Sequence, residues 1–217
     1  MKRAGEVFPQ NLLLLYAFSV SLFSTSFTVF DVETTGLAPG AGDRIVEIAG
    51  VRIENGKICP EKTFLSLINP QRKISWEAQS VNNIQGEDLE KAPTIDIVLP
   101  QFLDFARGSI LVAHNAQFDV GFLEAEKEMC WGYNDIPECL CTLCLSRKVH
   151  PHEYGHKLEN VATRLKIPLP SDPLHRALPD VLLTAQVFLK LLSLADIQTL
   201  DVLRAKASPF SLSWRSK

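Results

Sequence analysis

Residues 27–37 read Phe27-Thr28-Val29-Phe30-Asp31-Val32-Glu33-Thr34-Thr35-Gly36-Leu37, an apolar run that ends in two acids two positions apart. β-Branched and aromatic residues favour a strand, and in a strand residues i and i+2 share a face, so Asp31 and Glu33 point the same way. At a spacing of about 5 Å and an effective dielectric near 20, the two carboxylates repel by roughly 3 kcal/mol. A divalent cation between them relieves that repulsion, and oxygen-only donors favour Mg2+ or Mn2+ over zinc. Taken alone, the same stretch also reads as a strand ending in a solvated acidic turn, Thr34-Thr35-Gly36.

Two later segments repeat the pattern of an acid just beyond a structural junction. Residues 110–123, ILVAHNAQFDVGFL, run from an apolar strand through His114 into a helical pattern. Asn115 is placed to cap that helix, Phe118 and Phe122 recur at i, i+4 as its buried stripe, and Asp119 falls in the first turn. Residues 175–188, HRALPDVLLTAQVF, start a helix at Pro179, which suits the first helical position. His175 then lies on the preceding loop and Asp180 in the first turn. Each acid by itself reads as ordinary helix N-terminal charge, and His175 by itself as a loop histidine.

In combination, FDVETTGL, HNAQFD and HRALPD resemble the three motifs of the DEDD exonuclease superfamily, in order, over residues 27–192. The histidine five residues before the last aspartate resembles the DEDDh branch. That branch holds the proofreading epsilon subunit of bacterial DNA polymerase III, PolC-type exonuclease domains and RNase T. The segments RIVEIAGVRIENGKI and YGHKLENVATRLKIP fit the same family. The resemblance implies an α/β protein of RNase H-like fold, a five-stranded mixed sheet flanked by helices. It implies a metal-dependent 3′→5′ exonuclease that releases nucleoside 5′-monophosphates from DNA, in proofreading or repair. The alternatives are an RNA-trimming enzyme of the same chemistry and a weakly catalytic nucleic-acid-binding subunit.

Roles follow from the resemblance residue by residue. Asp31, Glu33, Asp119 and Asp180 are the expected ligands of two Mg2+ or Mn2+ ions, and His175 is the expected general base. Thr34, Thr35 and Leu37 match positions that meet the terminal nucleotide, and Asn115 and Phe118 match positions that shape the same pocket, with a core role as the alternative for Phe118. The expected substrate is a single-stranded or frayed 3′ end of DNA, with RNA as the other candidate, and a DNA polymerase or clamp is the expected protein partner.

Local patterns supply the remaining elements. Strands are expected over 27–32, 44–53 and 57–68, the last two joined by the turn pair Asn55-Gly56. Residues 75–106 read as helical pieces broken by Gly86 and Pro93. A strand over 109–113, a helix over 116–130 and a short strand over 137–141 follow. Helices are expected over 142–148, 157–166, 179–193 and 196–206. A chain of 217 residues with 46% hydrophobic content is sized for one good core. Its net charge of −3 does not suit a general nucleic-acid coat, but it is compatible with an enzyme that grips only the last few nucleotides.

The domain is expected over 25–206, with a helical extension over 1–24 and a tail over 207–217. Lys2 and Arg3 precede the apolar run Leu12–Phe23, but Glu6 and Pro9 interrupt the part between them and no small-residue cleavage site follows. A packed helix is therefore expected rather than a signal or membrane segment, in a cytoplasmic protein. Five cysteines, three of them at 139, 141 and 144, read as buried thiols. With His150, His152 and His156 they could compose a zinc site, but the spacing is wrong for one. Phe210 and Trp214 are candidate anchors for a partner.

Overall fold

The computed structural model describes residues 21–128, 130, 135–170 and 176–209. A 3-10 turn at Leu22–Ser24 leads into β1 (Phe27–Thr34), β2 (Ile45–Glu54) and β3 (Lys57–Leu67). Three helices follow: α1 (Trp76–Asn82), α2 (Gly86–Glu90) and α3 (Ile95–Phe105). Next come β4 (Ile110–Ala113), α4 (Ala116–Lys127) and β5 (Cys139–Cys141). The chain continues through α5 (Thr142–Val149), α6 (Leu158–Arg164), α7 (Ala177–Leu194) and α8 (Leu200–Ala207).

The five strands form one mixed sheet in the order β3-β2-β1-β4-β5, the architecture expected from the sequence. Strand β1 sits in the middle, antiparallel to β2 and parallel to β4. Asn55 and Gly56 both take positive φ, 50° and 69°, which is what a two-residue turn matched to strand twist demands. Alternation along β1 divides the apolar interior. Phe27 and Val29 pack with α7 on one face, while Phe30 and Val32 pack with α3 and α4 on the other. Helix α7 is long and apolar enough to cross a membrane by length and composition. Here it lies against β1 and β2 with Val181, Ala185 and Phe188 fully buried, and the Phe188 ring meets Phe27 edge-on at 5.1 Å.

Several boundaries differ from expectation for identifiable reasons. Helix α7 begins at Ala177, two residues before Pro179, because the Glu47 carboxylate on β2 accepts the Ala177 N–H at 2.9 Å. Pro179 is thus the third helical residue, where its missing N–H is still no loss. Helix α8 starts at Leu200 rather than 196, since Asp196 turns into the left-handed region and Thr199 caps the new helix. Asn115 stands at the N-cap position of α4, yet in left-handed geometry (φ 65°) and with no side-chain cap bond. Of the extension expected over 1–24, residues 1–20 lie outside the described residues; so do Phe210, Trp214 and the tail from 210 on.

Candidate active site

Pairing between β1 and β4 covers Phe27–Ile110, Thr28–Leu111 and Val29–Val112, and then stops. The rest of β1 keeps only β2 as a neighbour, so its carboxyl end opens a crevice beside β4, the usual ligand position in such sheets. Asp31 and Glu33 project there, continuing the Phe27/Val29 face toward α7. The first turn of α7 brings in Asp180, and one oxygen from each of the three acids lies within 4.8 Å of the others. Among the described residues this trio is the group with metal-ligand spacing. Asp119, in the first turn of α4, stands beside it: its Oδ1 accepts the Val32 N–H at 3.3 Å. That N–H is available because β1 has outrun β4.

Burial and neighbouring acids disfavour the charged forms of Asp31 and Glu33, and burial that of Asp119. Burial, then the charges of Asp119, Glu33, Asp180 and Glu47, push the Asp31 carboxyl well above its usual range. Glu33 is pushed up to about 8 by burial and by Asp180, Glu47 and Asp119, and Arg176 offsets this only in part. Burial also lifts Asp119 to about 8, against the backbone hydrogen bonds that favour its ionised form. Without a cation these acids hold protons near neutrality. A hard, all-carboxylate donor set suits a divalent cation.

The acids floor a cleft of about 360 Å³. Thr34, Gly36 and Leu37 form one wall; Ala78, Val81 and Asn82 of α1 form another; Phe118 and His114 close a third side. Leu37 is 84% exposed and Val81 55%, so both present apolar surface to whatever enters. The Thr35–Asp43 loop that carries Leu37 is built around Asp43, whose carboxylate accepts the Thr35 hydroxyl (3.0 Å) and the Ala38 N–H (3.1 Å). Gly36 must lack a side chain, because a Cβ there would collide with that carboxylate. Thr35 is therefore buried and turned into its own loop, and Asn115 is exposed outside the cleft lining, whereas Thr34, Leu37 and Phe118 face the cleft. His175 lies outside the described residues.

Several residues with structural roles here went unread in the sequence. Glu47 is 1% exposed and receives Arg176 through both oxygens, at 3.1 Å from Nε and 2.6 Å from Nη2. Glu126, equally hidden, receives Arg44 in the same fork and the Ile45 N–H at 3.0 Å. For Glu47 the available signal was a charged residue inside the apolar run RIVEIAGV; Glu126 lies in the charge-rich FLEAEKE, which offered none. His114 donates from Nε2 to the His156 carbonyl (2.9 Å) and meets the Thr142 hydroxyl through Nδ1 (2.8 Å). Burial lowers its pKa, which suits a neutral ring. His156 in turn spends its ring nitrogens on Ser146 and the Glu153 carbonyl, while Cys139 and Cys141 are buried in β5.

Residues 28–188 match the RNase_T family, described as an exonuclease. The chain belongs to this exonuclease family. It is 44% identical over 167 residues to a DNA polymerase III subunit epsilon-like protein of Rhodobacter capsulatus, covering 77% of this chain and 24% of that protein. It is 33% identical over 168 residues to the DNA polymerase III subunit epsilon of Rickettsia conorii, covering 76% of this chain and 72% of that one. Among solved structures, exonuclease X in complex with 5′ overhanging duplex DNA superposes with a TM-score of 0.66 at 28% identity, over 82% of this chain and 99% of that chain. The chain spans about a quarter or less of the length of several curated relatives that it matches. The family is one of metal-dependent 3′→5′ exonucleases, and the RNase H-like sheet is its fold.

Proposed function

We propose that this chain hydrolyses the terminal phosphodiester bond at the 3′ end of single-stranded or frayed DNA and releases nucleoside 5′-monophosphates. The observation that carries this reading is the trio Asp31, Glu33 and Asp180, with Asp119 beside it, at the floor of an open cleft with apolar lips. Asp31, Glu33 and Asp180 would hold one divalent ion, with Asp31 shared and Asp119 supporting a second; Mg2+ or Mn2+ fits the oxygen donors. Such ions, when bound, supply Lewis acidity and neutralise charge that builds on the phosphate and the leaving oxygen.

The chain's own groups do the rest. Leu37 and Val81 offer apolar surface to the terminal base, and Phe118 closes the pocket behind it. Thr34 presents the backbone of the β1 exit toward the sugar. His175 accepts a proton from the attacking water on a ring nitrogen, work suited to an imidazole near neutral pH. The relatives named as DNA polymerase III subunits support a polymerase or clamp as partner and a cytoplasmic setting. The test is digestion of matched single-stranded DNA and RNA oligonucleotides, labelled at the 5′ end, with Mg2+ and with Mn2+. A ladder shortening from the 3′ end of DNA is the expected result. Trimming confined to RNA would reassign the substrate, and no cleavage with either ion would overturn the proposal.

A further inference from the structure

We infer that Glu47 and Arg176 are positioning residues for the carboxylate cluster: their ion pair fixes the first turn of α7, and with it Asp180, against β1. This rests on the proposed role of Asp31, Glu33 and Asp180 as ion ligands. The register of β1 on β2 sets Glu33 directly opposite Glu47. Like charges in that relation are destabilising, so a glutamate at 47 needs a compensating role. Both oxygens of Glu47 are engaged by the start of α7. Oε1 receives Arg176 Nη2, and Oε2 receives both Arg176 Nε and the Ala177 N–H.

That last bond joins the sheet to the helix. The Ala177 N–H is one of the donors that a helix start leaves unpaired, and a carboxylate from a distant strand satisfies it. Asp180 is three residues further on, its own N–H directed at the Arg176 carbonyl (3.3 Å). Pro179 stiffens the turn between them. Glu47 and the two β1 acids belong to adjacent paired strands, so one rigid path runs from Asp31 and Glu33 through Glu47 to Asp180. The spacing of the trio is thereby set by the sheet rather than by the loop before α7. The Arg176 guanidinium also opposes the negative charge around Glu33.

The test uses the full chain, with Mn2+ binding followed by calorimetry and hydrolysis of a 5′-labelled single-stranded DNA oligonucleotide in the steady state. Glu47→Gln keeps the shape but leaves an amide that must turn its NH2 toward either Arg176 or the Ala177 N–H. The expected result is an Mn2+ Kd raised about 10- to 100-fold, the cost typical of losing a group that orients a ligand, with kcat lowered and KM little changed. Arg176→Gln should behave alike, and Arg176→Lys, which keeps the charge but not the fork, should fall between. Folded Glu47→Gln with wild-type Mn2+ affinity and kcat overturns the inference. Should that variant not fold, the same result in Arg176→Gln overturns it. A lower Tm with both quantities unchanged marks a merely structural pair and overturns it too. Asp180→Asn separates the two layers. If it binds Mn2+ as tightly as wild type, the ion site itself is wrong; if it binds weakly while Glu47→Gln binds normally, only the positioning role is lost.

Discussion

Glu33 and Glu47 face each other across β1 and β2, one half-buried at the cleft and the other sealed beneath it. Only Glu47 has a guanidinium forked onto it. The sheet thus carries two glutamates in one register pair with opposite fates. Glu47, paired with Arg176, holds the scaffold, and Glu33, only partly offset by Arg176, stays open to a ligand. Arg44 and Glu126 repeat the device on the other side, tying the helix that carries Asp119 to the start of β2.

Crowded negative charge at Asp31 and Glu33 makes function and stability oppose each other. Asp31→Asn, Glu33→Gln and Asp180→Asn should each lower kcat by several orders of magnitude, since each removes an expected ligand. In EDTA at pH 8 Asp31→Asn and Glu33→Gln should melt above wild type, because each removes a carboxyl crowded by its acidic neighbours. A gain of 1 kcal/mol corresponds to about 2–4 °C in a domain of this size. Differential scanning calorimetry with and without Mg2+ measures it. A variant with near-normal turnover at saturating Mg2+ would strike that residue from the site.

The raised carboxyls also fix the sign of a pH dependence. Glu33 and Asp119 sit near 8 in the fold against ordinary values of 4.5 and 3.8. Between those limits the native state binds more protons than the unfolded chain, so stability falls as pH rises. Metal-free protein should therefore lose Tm steadily from about pH 5 to pH 8, with a slope of at most about 1.4 kcal/mol per pH unit for each proton. Mg2+ should reverse the loss, most strongly at high pH, and its binding at pH 7 should release protons, seen as a buffer-dependent heat in calorimetry. A flat Tm profile in EDTA would mean that the acids are already compensated.

The loop that carries Leu37 depends on a carboxylate that does not face the cleft. Asp43→Ala removes two hydrogen bonds, each worth about 0.5–1.5 kcal/mol net. It should raise KM for a short oligonucleotide about 3- to 10-fold, the equivalent of one such bond, with kcat nearly intact. Gly36→Ala drives a methyl group into the same carboxylate and should act in the same direction. Steady-state kinetics on a tetranucleotide decides, and unchanged KM in both variants would detach Leu37 from substrate binding.

What was legible in the sequence was local. Asp31, Glu33, Asp119 and Asp180 each sit beside a periodicity change, strand to turn or loop to helix, and the resemblance of the three motifs to a family implied the mixed sheet. What was hidden depended on partners far along the chain. The start of α7 was misplaced because its cap, Glu47, lies 130 positions away from Ala177. Asn115 was read as a side-chain cap because residue preference is blind to the left-handed turn that the β4–α4 junction requires. Thr35 looked like its neighbour Thr34, and only the fold of the loop onto Asp43 separates their directions.

His175 is the proposed general base on its resemblance to the family motif, and kinetics can test it without reference to its placement. At saturating Mg2+ the ion displaces the carboxyl protons into solvent, so the titration left in the rate near neutrality should be that of an imidazole. The single-turnover rate of wild type should rise with pH through that pKa and level off. His175→Ala should cost about 10²–10⁴ in kcat, the range usual for a general base, with KM and Mn2+ affinity close to wild type. The rising limb should disappear in the variant. A histidine that only contacts phosphate predicts the opposite division, a raised KM with kcat preserved. An unchanged pH profile in His175→Ala would remove the base from the mechanism and leave Asp31, Glu33 and Asp180 standing as the ion site.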